Sequence, residues 1–141
     1  MARAHDDGIV PASFKADVDL SGACVLYRFA RAASTQDQVA AATGGSNPGP
    51  LGVFQGTASS GQAIGVKTLG HTVLTGRSAG CDLTIGNLIL CASDSVAQSA
   101  SAVGQADNIA YGRWLGPTIT SGSAYGEAIL FMSGASILAR S

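Results

Sequence analysis

Two stretches of this chain, LGVFQGTASSGQAIGVKTLG (residues 51–70) and YGRWLGPTITSGSAYGEAILFM (residues 111–132), are built on one skeleton. Gly52-x-Phe54-x-Gly56 in the first answers Gly112-x-Trp114-x-Gly116 in the second, sixty positions later. Each is followed, after a short polar turn, by Gly61-x-Ala63-Ile64-Gly65 or Gly122-x-Ala124-Tyr125-Gly126. In an extended chain the aromatic two positions after a glycine shares its face, and a residue without Cβ lets another backbone come close. The polar connection then returns the chain antiparallel, which is expected to bring Ile64 towards Phe54 and Tyr125 towards Trp114. Two such hairpins are expected to pack their aromatics together and close a small barrel. Phe54, Trp114 and Tyr125 are therefore the candidate core aromatics, and Trp114 or Tyr125 would otherwise anchor an interface.

The rest of the chain agrees with strands. Its 141 residues suit one domain. Only 12% are charged, against 46% hydrophobic and 19 glycines, and Lys15, Lys67 and Glu127 are the only lysines and glutamate. Residues of these two types favour solvent-facing helices, so their scarcity argues for β structure with tight turns. A net charge of −1 gives no electrostatic footprint for nucleic acid or an anionic membrane. No apolar run approaches the ~18 residues of a membrane helix, and the first residues lack the apolar region of a secretory signal. So little charge opposes association weakly, which suggests a surface meant to be covered.

Along the chain, residues 1–13 read as an extended arm holding the apolar pair Ile9-Val10. From Phe14 to Leu20 apolar and polar residues alternate as on a half-buried strand. ACVLYRFA (23–30) reads as a second strand. STQDQVAAATGG (34–45) admits a short capped helix from Ser34 and Asp37, or a turn at STQD followed by a strand; the hairpin is the favoured reading. GGSNPGPLG is a loop. LGVFQG, QAIGVKTLG and HTVLTG read as short strands, and Gly86-Asn87 as a hairpin turn between DLTI and LILC. Residues 92–108 read as a turn, a short strand and a loop. The tail, residues 133–141, still carries Ile137 and Leu138. Strands at this spacing predict an all-β fold, a small antiparallel barrel or sandwich spanning 14–132.

No stretch of the chain completes a catalytic or metal-binding motif. GRSAG (76–80) fits the G-x-S-x-G elbow of α/β-hydrolases, but a strand rather than a helix follows it, and His71 stands in the wrong order relative to Ser78. DVDLSG (17–22) opens like a calcium loop, yet Arg28 stands where the closing glutamate belongs. Cys24, Cys81 and Cys91 lack paired zinc spacing; free buried thiols are expected, with a Cys81–Cys91 disulfide as the lesser alternative. His5 and His71 are expected at the surface. No phosphate-cradling glycine motif is present. The chain is expected to be no enzyme and to need no cofactor, metal, nucleic acid, membrane or small-molecule substrate.

The order of these pieces resembles a known family. LYRFA…VAAAT…GPLGVFQGTASSGQAIGVKTLGHTVL, then SAGCDLTIGNLILCASDSVAQ and IAYGRWLGPTITSGSAYGEAILF, is similar to the capsid decoration (cement, head-stabilising) proteins of tailed phages. Glu127 and Ala128, where alternating apolar residues are usual, and the tail after Met132 depart from that pattern. The resemblance implies a β-barrel or β-tulip domain, trimeric, seated on the outer surface of the virion where major capsid protein subunits meet. It would glue neighbouring subunits of the expanded head against DNA pressure, after assembly in the host cytoplasm. Ile9, Val10, Phe14, Ile137 and Leu138 are then the candidate capsid contacts, the arm adding a strand to a capsid-protein sheet. The competing reading is a surface-displayed β module that binds glycan or receptor through exposed Trp114 and Tyr125.

Overall fold

A computed structural model of the protein describes residues 14–22, 25–43, 49–78, 80–101 and 110–131. The regular elements among them are strands: β1 (Lys15–Ala16), β2 (Phe29–Ala32), β3 (Gln38–Ala41), β4 (Pro50–Phe54), β5 (Val66–Lys67), β6 (Leu69–Arg77), β7 (Leu88–Cys91), β8 (Ala97–Ser99), β9 (Gly112–Gly116) and β10 (Ser123–Phe131). They form a five-stranded curled sheet in the order β1-β3-β2-β4-β5 and a closed five-stranded barrel in the order β10-β6-β8-β7-β9. The all-β expectation holds. The barrel is antiparallel except where Gly76 of β6 pairs in parallel with Ala97 of β8. The arm before Phe14, with Ile9 and Val10, and the tail with Ile137 and Leu138 lie outside the described residues.

The repeat does specify two antiparallel hairpins. β4 pairs with β5, and β9 pairs with β10. The first glycine of each copy sits where the partner's backbone comes close. A Cβ on Gly52 would stand 2.6 Å from the Lys67 carbonyl oxygen, and one on Gly112 would strike the Ile129 carbonyl oxygen. The aromatics do not meet, however. Trp114 belongs to the barrel core with Leu74, Leu83, Ile89 and Leu130, whereas Phe54 lies in a second core with Ala16, Leu20, Ile64 and Val66. Period-two alternation is the cause: on β4, Val53 faces the barrel and its neighbour Phe54 faces away, and on β2 Phe29 and Ala30 divide in the same manner. The curled sheet is thus buried on both faces, one on the barrel and one beneath the segments around Leu20 and Ala58.

Elsewhere the chain departs from its sequence pattern at turns. Tyr27 takes φ +58°, so residues 25–28 turn and the strand predicted at 23–30 begins only at Phe29. Only Lys15–Ala16 of the predicted 14–20 strand is regular, and Val18 faces solvent. Over 34–43 the hairpin reading holds: the chain turns through Asp37 at φ +63° and β3 pairs with β2. Gly86 does turn the chain at φ +89°. DLTI is nevertheless no hairpin partner for β7, because Leu83 bridges to Ile119 instead. Cys91 is buried and its thiol donates to the Ala92 carbonyl at 3.4 Å. Cys81 is a free thiol, so the Cys81–Cys91 disulfide is not formed.

Candidate functional site

The placement of the only tryptophan shows what the barrel interior is for. The indole is fully buried and its Nε1 donates to the Pro117 carbonyl at 2.7 Å. Around it the neighbouring strands carry glycine. A Cβ on Gly76 of β6 would stand 2.8 Å from Trp114 Cη2, and one on Gly126 of β10 would stand 2.5 Å from the same atom. The ring fills a slot cut by missing side chains. Among the described residues the barrel centre is filled by the Trp114 ring and the apolar side chains around it.

What the barrel offers to other molecules is therefore its outside. β6 and β10 are nine residues each and pair over their whole length. Along β10 the burial alternates, with Gly126, Ala128 and Leu130 inward and Tyr125, Glu127 and Ile129 outward. Leu69, Leu115, Tyr125 and Ile129, four of the six large exposed apolar side chains among the described residues, lie on this one side of β6, β9 and β10. Leu115 is there by simple alternation along β9, where Gly112 and Trp114 are buried and Arg113 and Leu115 exposed. In the middle of the row His71 Nε2 lies 2.8 Å from Glu127 Oε1, so the Glu127 carboxylate is paired within the face.

A second feature lies where the two sheets join. The Tyr27 amide donates to the Phe54 carbonyl at 3.1 Å, and its carbonyl accepts from the Thr75 amide at 2.7 Å. One residue thus stitches the curled sheet to the barrel. Its ring meets Tyr125 edge to face, with centroids 5.5 Å apart and planes at 87°. Beside them Arg77 pairs with the Asp94 carboxylate at 2.8 Å, and Arg28 donates to the Asp94 carbonyl at 3.1 Å. Ser95, at φ +72°, accepts the Phe29 amide on its carbonyl at 2.8 Å and donates its hydroxyl to the Ala42 carbonyl.

The remaining sequence candidates fall as follows. Phe54 is fully buried, while Tyr125 is 54% exposed and does not accompany Trp114 inward. Phe14 is half-buried and packs on the second core. Ser78 donates to the Thr120 carbonyl at 3.2 Å. His71 stands seven residues back along the same strand, roughly 23 Å at strand rise, so the two are not brought together. Asp19 accepts from Ser21, whose hydroxyl and then amide hold its carboxyl below the usual range. Among the described residues no group of three histidines, cysteines or carboxylates is placed to hold a metal. Sequence reasoning missed Tyr27, Arg77 and Asp94. Nothing local marks them, since their partners lie 17 to 98 residues away and a left-handed tyrosine leaves no sequence signature.

No protein-family model matches the chain, and comparison with characterised proteins finds no relative. A structural relative is found instead. The chain superposes on the crystal structure of the head fiber gp8.5 N base of bacteriophage phi29, with a TM-score of 0.57 and 15% identity over 87% of this chain and 94% of that one. The two share a fold. The overlap takes in both the curled sheet and the barrel, since it leaves only 13% of this chain unmatched.

Proposed function

We propose that this protein is a structural component of a phage head, attached to the outside of the shell as a trimer and cementing neighbouring major-capsid subunits. The observation that carries the reading is the shared fold with a phage head fiber base. The molecule's construction supports it. A barrel plugged by Trp114 and a sheet buried on both faces make a rigid body suited to being fitted against neighbours. Its low charge and its apolar row at Leu69, Leu115 and Ile129 suit close contact with copies of itself. In this reading the copies meet on that row, while Ile9 and Val10 in the arm and Ile137 and Leu138 in the tail reach the shell. Phe14, which packs on its own second core, anchors the arm. Several weak shell contacts per trimer then add to strong retention.

The test is co-sedimentation of the full chain with expanded empty phage shells, alongside light scattering of the chain alone. A trimeric mass and saturable shell binding are expected. Deleting residues 2–13 should abolish binding and leave the trimer intact. A monomer that ignores every shell overturns the proposal.

A further inference from the structure

We propose that the belt joining the two sheets binds an acidic saccharide, a sugar ring carrying a carboxylate or phosphate. This does not rest on the attachment reading. The belt stands on its own residues, and Tyr125, four residues from Ile129 on β10 and about 13 Å away at strand rise, is not among the contacts that reading assigns.

Four observations converge there. The first is the tyrosine corner. Tyr27 and Tyr125 stand edge to face, Tyr125 is 54% exposed, and neither phenol hydroxyl takes a protein partner among the described residues. An edge-on pair leaves one ring face open to the C–H side of a sugar, which the negative face of the ring attracts, and presents two hydroxyls able to donate or accept. The second is charge. Two guanidinium groups, Arg28 and Arg77, share one residue: Arg77 takes the Asp94 carboxylate, and among the described residues Arg28 takes only the Asp94 carbonyl. The belt keeps an uncompensated positive charge in a chain of net charge −1, and a guanidinium matches carboxylate and phosphate geometry.

The third observation is a pair of orphans. Thr75 Oγ1 and Arg77 Nε are buried without a hydrogen-bond partner, although such groups are nearly always paired in folded proteins. Thr75 stands directly opposite Tyr125 in the β6–β10 register, so the tyrosine covers its hydroxyl. A turn of the exposed Tyr125 side chain would open the Thr75 hydroxyl to a ligand oxygen, and Arg77 lies two residues further along the same face of β6. The fourth is backbone conformation. Tyr27 at φ +58° and Ser95 at φ +72° are two of the three described non-glycine residues at positive φ, and both flank this belt. Conformations of that kind gather at binding sites, held by the structure around them.

The experiment is an amide-shift titration of the 15N-labelled full chain with trigalacturonate, mannose 6-phosphate and neutral maltotriose. Saturable shifts are expected at Tyr27, Arg28, Thr75, Asp94 and Tyr125 for at least one of the anionic probes, with Kd of about 1 mM or tighter. Which of the two acidic probes saturates tells whether carboxylate or phosphate is read. Tyr125→Ala and Arg28→Gln should each weaken binding about tenfold without moving the melting temperature. Thr75→Val separates binding from structure. It removes an unpaired buried hydroxyl in favour of a methyl of the same shape, so stability should hold or rise while binding weakens. Shifts falling elsewhere, no saturation by either acidic probe, maltotriose bound as tightly as they are, or Thr75→Val bound like wild type would each overturn the assignment.

Discussion

At the scale of single residues, the central fact is that Trp114 fits because glycines on neighbouring strands make room for it. The Gly-x-aromatic-x-Gly motif gives no hint of this, since the glycines that matter, Gly76 and Gly126, lie on other strands. Gly76 offers a clean test, because the three atoms nearest an added Cβ are all side-chain atoms, Leu83 Cδ2 at 2.6 Å and the outer ring of Trp114 from 2.8 Å. Gly76→Ala should destabilise by about 2 kcal/mol through overpacking. Trp114→Phe should lose about 2 kcal/mol through the emptied part of the slot. The double substitution should lose at least about 1 kcal/mol less than the sum, because the methyl occupies space the smaller ring vacates. Urea denaturation of the four proteins measures the coupling, and simple additivity would show that ring and glycine do not share the slot.

At the scale of elements, β6 and β10 give the barrel its outer wall. They also show where sequence patterns are readable. SAYGEAILF alternates, and the structure places Tyr125, Glu127 and Ile129 outside and Gly126, Ala128 and Leu130 inside as period two requires. The turn at 34–37 was legible only as one of two readings, because Ser34 and Asp37 ahead of an alanine-rich run would also cap a short helix; pairing of β3 with β2 decides it. DLTI was not. Its apolar residues suit a strand, but strand pairing is decided by which distant edge is vacant, and Leu83 found Ile119. The second core was hidden for the same reason: Val53 and Phe54 are neighbours in sequence that serve opposite faces. If copies of the protein associate through the outer wall, Ile129→Asp with Leu69→Asp should reduce the trimeric mass seen by light scattering to that of a monomer. Both side chains are over two-fifths exposed, at 43% and 49%, so the fold should tolerate the change and the far-ultraviolet spectrum should be kept. Ile85→Asp, at a turn and 69% exposed, should leave the mass unchanged. A trimer that survives the double substitution would place the contact elsewhere.

At the scale of the whole molecule, the curled sheet and the barrel read as two modules in strand order but share one interior. Phe29, Ala42 and Val53 of the sheet side sit in the same buried cluster as Leu74, Trp114 and Leu130 of the barrel, and the Phe29 ring lies 6.0 Å from that of Tyr111. Backbone bonds from Tyr27 to Thr75 and from Phe29 to Ser95 cross the same boundary. A shared interior of this kind couples the two halves, so neither is expected to open alone. The consequence is a single cooperative transition, with calorimetric and van't Hoff enthalpies equal. Phe29→Ala tests it more sharply. Truncation of a buried phenylalanine removes about 3–5 kcal/mol, and since the ring belongs to both halves the loss should reach both. Native-state hydrogen exchange should show the protection of amides in β4 and in β10 falling by equal amounts. A loss confined to β4, with β10 protected as before, would mean that the barrel stands by itself and the curled sheet is merely attached to it.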